Sequence, residues 1–355
     1  MKILGIFRGF PGLGRVVGGV SLLEEMRDTY GHKIKLISYL QGNKYLESRG
    51  YSIDCEANPL DYCSIGLLPT NKMGAYIHST IRNFNPDVVL IDGEPLIVQS
   101  LRISYPQLKI CVLLNPADVE NPSNEKEAMD FFNSMYAKAN LAIVHGLRMA
   151  NTQYLYSKIV NISTILRPEI ASIINNPSNI IYCLLGGGTV NTGNAFVSSS
   201  LDIVKFSLAL AKDNPLYSIH IVCSSDNIFD AVSQMDVPQN VVVHSDILPA
   251  EVYYESASLI ITRSGRNTLS ELLYLGIPTI SFITGDKYRS AEQKQNIACV
   301  NGSNIHYVSL EISISEFLSI SKSLLKENRY MPKPFKPGNH IAIECLQNLL
   351  NRVFS

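Results

Sequence analysis

The chain has 355 residues, 46% of them hydrophobic and 17% charged, which is length for two ordinary domains and enough apolar material to fill both cores; disorder as the main state is excluded. Thirty Lys and Arg against 31 Asp and Glu leave a formal charge of −1, and no segment gathers the basic residues into a stripe that neutralises many phosphates, so nucleic acid is not expected as a partner. The seven cysteines are odd in number and scattered, with no CxxC pair, and several sit inside apolar runs such as 180–185, where a reduced cysteine behaves as a small hydrophobe; neither a disulfide framework nor a zinc site is expected.

The first strand is expected at Lys2–Phe7, a run too short for a signal peptide's apolar core and cleavage site. No other apolar run approaches the ~20 residues that span a bilayer. The expectation is a soluble, cytoplasmic protein with no transmembrane segment, peripheral membrane contact remaining open. A helix follows at Val16–Thr29, ended by Gly31 just past the last periodic residue. Further strands are expected at Lys33–Ser38, Val88–Asp92, Lys109–Leu114 and Leu141–His145. A Pro/Asn/Ser-rich stretch from Ile165 to Asn179 then reads as a hinge, and the pattern restarts. The second series comprises Ile180–Leu185, Ser218–Cys223, Val241–His244, Leu259–Thr262, Thr279–Phe282 and His306–Val308, and an amphipathic segment from Asn339 to Leu350 reads as a terminal helix. Short β-branched runs alternating with helical period indicate parallel sheets with crossover helices. The expected division is 1–165, 166–338 and a helix in 339–355 that packs back on the first domain.

Each half opens with a strand running into a glycine-rich loop, Gly9 to Gly14 in the first and Gly186 to Gly188 in the second. The expected fold is therefore α/β, two Rossmann-like domains whose parallel sheets face a central cleft, with ligands beyond the carboxyl ends of the strands. Within the second half, 259–273 reads as a strand, a Ser264-Gly265 turn and a helix. A helix start preceded by Ser and Gly presents backbone N–H groups and a positive dipole end that suit a diphosphate, with Arg263 and Arg266 adding charge. Glu271 is placed to accept hydrogen bonds from a vicinal diol such as a ribose. An ordinary capped helix with solvated Arg and Glu is the alternative. Downstream, Gly276-Ile277-Pro278 leads to the next strand, and a polar loop follows in which Glu292, Gln293 and Asn296 suit sugar hydroxyls.

Taken in order, Arg-Ser-Gly, Ser-Glu, Leu-Gly-Ile-Pro and Glu-Gln…Asn resemble the donor-binding region of glycosyltransferase family 28, from about Gly186 to Asn296. The resemblance implies a GT-B glycosyltransferase. It implies that Gly187 and Gly188 approach the donor, that Ile247 reads the nucleobase through its backbone, and that Ser264 and Gly265, with Thr268 nearby, hold the diphosphate. It further implies that Glu271 takes the ribose and Gln293 touches the transferred sugar. UDP is the default nucleotide, and the acceptor is a small molecule or a glycan- or lipid-linked hydroxyl.

The first half departs from that family. Relatives show Gly-x-Gly-His, whereas this chain has Gly12-Leu13-Gly14-Arg15, and a permanently charged arginine can stabilise phosphate but cannot accept a proton. The base is sought instead in Asp92-Gly93-Glu94-Pro95, with Glu94 ahead of Asp92; the alternative is that Asp92 caps the turn and Glu94 is solvated. Asn115 or Asp118 is a candidate for acceptor recognition. His145 is a third candidate proton carrier, the alternative being a hydrogen-bonded structural histidine, and His78 reads as structural or acceptor-lining. Neither metal nor cofactor is expected, since arginines and a helix start can neutralise a leaving diphosphate. The expected activity is inverting sugar transfer from a nucleotide-diphosphate donor to a hydroxyl. A nucleotide-sugar hydrolase and a non-catalytic nucleotide-sugar sensor are the rivals.

Overall fold

The structure, a computed structural model, describes residues 1–9, 12–55, 72–151, 156–186, 193–223, 226–245, 248–284, 287–300, 302–327 and 335–351. The chain divides into two compact units, Met1–Arg167 with Pro337–Ser355, and Pro168–Lys336.

In chain order the first unit holds β1 (Lys2–Phe7), α1 (Gly14–Tyr30), β2 (Lys33–Ile37), α2 (Gln41–Ser48), α3 (Lys72–Phe84), β3 (Val88–Asp92), α4 (Pro95–Ser104), β4 (Lys109–Leu114), α5 (Pro116–Val119), α6 (Lys126–Tyr136), β5 (Leu141–Gly146) and β6 (Ile159–Ser163). The second holds a 3₁₀ turn (Pro168–Ser172), β7 (Ile180–Leu184), α7 (Gly193–Asp213), β8 (Ser218–Val222), α8 (Asp226–Ser233), β9 (Val241–His244), α9 (Ala250–Tyr254), β10 (Ala257–Arg263), α10 (Arg266–Leu275), β11 (Thr279–Ile283), α11 (Lys287–Val300), β12 (Ile305–Ser309) and α12 (Ile314–Glu327). The chain then closes with α13 (Asn339–Asn351) in the first unit.

Among the described residues both sheets are six-stranded and wholly parallel, ordered β2-β1-β3-β4-β5-β6 and β12-β11-β10-β7-β8-β9. Burial on both faces explains why the strands read as continuous apolar runs. In the first sheet Leu4, Ile6, Val89, Ile91 and Val112 join one core cluster, while Ile3, Phe7, Val88, Leu90 and Cys111 join the other with Val16, Leu22, Ile343 and Leu346. Side-chain alternation thus puts Asp92 on the face of Val88 and Leu90, the side covered by α1. Helix α1 stops at Gly31, whose φ of +68° is left-handed and whose N–H reaches the Arg27 carbonyl. Helix α13 is pinned through Asn339, which exchanges hydrogen bonds with the Leu166 backbone at 2.9 Å and donates to Glu25 at 2.8 Å.

The strand order reverses between β1 and β3 in one sheet and between β7 and β10 in the other. The carboxyl ends of those four strands are the places where such sheets accept ligands. Sequence reading missed β6, a half-buried edge strand of five residues, because Asn161 breaks its short apolar run in the middle.

Candidate active site

In the first unit the reversal point carries a charged cluster. Among the described residues nothing lies within 4 Å of where a Cβ on Gly12 would stand, and Gly14 and Arg15 open α1. From there the Arg15 guanidinium reaches Asp92 Oδ1 at 2.6 Å and forks onto Asp118 at 2.6 and 2.9 Å. Burial opposes its charge, but Asp118 and then Asp92 outweigh that and push the Arg15 pKa further up. Asp118 is held in turn by α5, where its Oδ2 accepts from the Asn115 N–H at 2.8 Å in a reciprocal cap. Asp92 is 1% exposed, so it does not face solvent. Arg15 bridges two carboxylates.

Glu94 sits beside this bridge as the N-terminal flanking residue of α4, and its side chain makes no capping bond. One oxygen, Oε1, accepts from the Tyr39 hydroxyl and from Arg8 Nε at 3.2 Å. The other, Oε2, has no hydrogen bond among the described residues, and it is not one of the buried polar atoms left without a partner. Glu94 is therefore neither solvated nor sealed: its side chain is 8% exposed. Gly93 makes the arrangement feasible, because its φ is +85° and a Cβ there would lie 2.5 Å from Arg15 Cδ and 2.7 Å from Arg8 Cβ.

The histidines stand apart from this cluster. His145 ends up fully buried on β5, its Nδ1 accepting from the Ile165 N–H at 3.4 Å and its ring against Gly18 of α1. His78 lies on α3 with Nδ1 3.1 Å from the Tyr105 hydroxyl, and burial lowers its pKa. A pocket of about 900 Å³ near Tyr105, Arg82 and Lys109 opens at the amino ends of β3 and β4, the opposite edge of the sheet from Glu94.

In the second unit the reversal point is built on β10. Arg263 uses all five of its N–H groups: Nε to the Leu185 carbonyl at 2.9 Å, one terminal nitrogen to Ser199 at 3.1 Å and Thr284 at 2.7 Å, the other to Ser199 and Ser200. It ties the ends of β7, β10 and β11 to α7, so its part here is to hold the loop ends in place. Ser264 is fully buried, and its hydroxyl bonds Ser281 at 2.8 Å and the Phe282 carbonyl at 3.0 Å. Arg266 is buried as well, its Nε donating to Asn267 Oδ1 at 3.0 Å. What the turn presents outward is Gly265, exposed and without a side-chain cap, followed by the half-buried Asn267 and Thr268 in the first turn of α10. First-turn N–H groups have no acceptor within their own helix.

Glu271, 4% exposed, accepts from the buried Tyr254 hydroxyl of α9 at 2.8 Å. Gln293 caps the end of β11, its carbonyl accepting from the Thr284 N–H and its amide 3.3 Å from the Thr284 hydroxyl, while Asn296 donates to the Ser264 carbonyl at 3.5 Å. Gly187, Gly188 and Ile247 lie outside the described residues. Sequence reading missed Tyr39, Arg8 and Tyr254; the first two carried a usable signal, each standing just past the end of a strand at the ligand-binding edge.

Gly265 supports a clean test. Its φ and ψ of −76° and 137° are open to any residue, and nothing among the described residues lies within 4 Å of where its Cβ would stand, so Gly265→Val is expected to fold, with the modest loss of melting temperature that a less favoured N-cap residue brings. Its UDP affinity is expected to fall roughly 10- to 100-fold, the loss of one charge-assisted hydrogen bond of about 1.5–3 kcal/mol. Calorimetric titration with UDP decides it, and unchanged affinity removes the diphosphate from this turn.

Residues 193–340 match the family model described as Glycosyltransferase family 28 C-terminal domain. No curated protein matches the chain. Among solved structures, MurG of Acinetobacter baumannii is 14% identical with a TM-score of 0.57, covering 98% of this chain and 100% of its own. The spinosyn forosaminyltransferase SpnP is 13% identical with a TM-score of 0.64, covering 99% of each. The glycosyltransferase VinC, solved in complex with dTDP, is 12% identical with a TM-score of 0.57, covering 99% of this chain and 100% of its own. The fold is GT-B. The matched span of this GT-B chain begins in α7 and runs through the α10 turn, and together the match and the fold support glycosyltransferase activity. Among the described residues no helix is long and apolar enough to cross a membrane.

Proposed function

We propose that this GT-B chain transfers a sugar from a nucleoside diphosphate donor, with UDP as the default nucleotide, to an acceptor hydroxyl, without a metal and with inversion. The observation that carries the donor side is the outward-facing, uncapped Gly265 start of α10 at the β7/β10 reversal point, inside the family-matched span. The partial positive charge of a helix start suits the charge that develops on a leaving diphosphate. On the acceptor side Glu94 is the base in this reading. Its Oε2 takes the hydroxyl proton as the acceptor oxygen bonds to the anomeric carbon; the bond from that carbon to the phosphate oxygen breaks, and its electron pair leaves with the diphosphate.

A thermal-shift screen over UDP, TDP, GDP and their sugars tests the donor assignment, because a ligand that binds only the folded state raises its stability by RT ln(1 + [L]/Kd), about 2.7 kcal/mol at a hundredfold excess over Kd. No shift with any nucleotide or nucleotide sugar sinks it. Ribose recognition is assigned to Glu271. Glu271→Ala is expected to lose about 1.5–3 kcal/mol of UDP binding per charge-assisted hydrogen bond, and to lose almost nothing toward an analogue lacking both ribose hydroxyls. Equal losses with both ligands place the ribose elsewhere.

A further inference from the structure

We infer that Tyr39 and Arg8 are positioning residues for the proton transfer, holding one oxygen of Glu94 so that the other alone receives the acceptor's proton. The inference rests on the reading of Glu94 as base and adds what makes that carboxylate usable. Sheet order brings the three side chains together: β2, β1 and β3 are neighbours, and Tyr39, Arg8 and Glu94 stand one or two residues past their carboxyl ends. Both donors converge on the same atom, the Tyr39 hydroxyl and Arg8 Nε on Oε1, and Oε2 has no hydrogen bond among the described residues.

Two donors on one oxygen stop the carboxylate from turning about its terminal bond, which would otherwise let either oxygen face the acceptor. Tyr39 stays a donor throughout, since burial and then the charge of Glu94 push its phenol well above the ordinary range. Burial opposes the charge of Arg8, but Glu94 together with the smaller contributions of Tyr136 and Tyr39 outweighs it and keeps the guanidinium charged. The remaining charged and titratable groups around them are Arg15 of α1, Asp92 of β3, Asp118 of α5 and Tyr136 of α6. Arg15 is committed to the two aspartates, so the donors acting directly on Glu94 are Tyr39 and Arg8.

The test is steady-state turnover of the full chain, read as UDP release from UDP-glucose and UDP-N-acetylglucosamine, with UDP affinity and melting temperature measured beside it. Tyr39→Phe removes a single oxygen, and Arg8→Gln removes the charge from the same carboxylate atom. Each is expected to lower kcat about 10-fold with UDP affinity unchanged, and to lower it no further in a Glu94→Gln background; agreement between the two variants guards against one failing to fold. Unchanged kcat in the folded variants, or an equal loss with and without the Glu94 carboxylate, overturns this inference alone, whereas full turnover in Glu94→Gln overturns the base assignment and the inference with it.

Discussion

Replacing Glu94 by glutamine is expected to lower turnover by about 10²–10⁴-fold, the usual contribution of a positioned general base, while donor affinity stays nearly intact. The amide keeps the shape of the side chain and its carbonyl can still accept from Tyr39 and Arg8, the partners seen on Oε1. What it cannot do is take a proton. Asp92→Asn provides the comparison, since that carboxylate is 1% exposed and bonded to Arg15; its variant is expected to suffer chiefly in stability. Near-normal turnover in Glu94→Gln together with its abolition in Asp92→Asn or His145→Gln would move the base to the other residue. His145 begins at a disadvantage, because it is fully buried and its Nδ1 is engaged by the Ile165 N–H.

The second large effect is expected on folding. Arg15→Ala leaves Asp92 buried beside Asp118 with the bridging guanidinium gone, and stripping one partner from a buried ion pair costs about 3–5 kcal/mol. Urea denaturation, read as a shift in midpoint at constant slope, measures it. The deficit is expected to shrink on acidification. A buried carboxylate that has lost its guanidinium partner binds its proton more tightly folded than unfolded, so the variant's folded state gains relative stability as pH falls and loses it as pH rises. A loss below about 1 kcal/mol would show the bridge to behave as an exposed surface pair. Gly93 keeps room for the same bridge: a side chain there would collide with both arginines.

Glu94 and Arg15 both stand at places that local sequence marks, yet only the folded chain separates their tasks. All the described strands except β6 announced themselves as short apolar or β-branched runs at or within a residue or two of their observed limits, from Lys2–Phe7 and Val88–Asp92 to Val241–His244: the central strands because burial on both faces needs apolar residues at every position, the edge strands β2, β9 and β12 because their β-branched residues favour a strand. The carboxyl-edge placement of Asp92, Glu94, Arg263 and Gly265 followed from the same pattern, since a polar residue directly after such a run must lie at the strand's end. Helix α1 with its terminal glycine was legible for the same local reason.

The sequence by itself thus determined the two α/β units and the strand ends on which functional side chains stand, because periodicity and capping are properties of neighbours along the chain. Which side chains meet was decided only by the tertiary structure. Arg15 and Asp118 are 103 residues apart, Tyr39 and Glu94 are 55, Arg263 and Ser199 are 64, and no local pattern records such pairings. In the folded chain Arg15 bridges two carboxylates, Arg263 ties the ends of three strands to α7 and the Ser264 hydroxyl turns inward, while Gly265 is exposed and one oxygen of Glu94 carries no hydrogen bond among the described residues. The physical reason is that a buried charge or hydroxyl must find its partner wherever the fold supplies one, and the fold supplies it across strands that are distant in sequence.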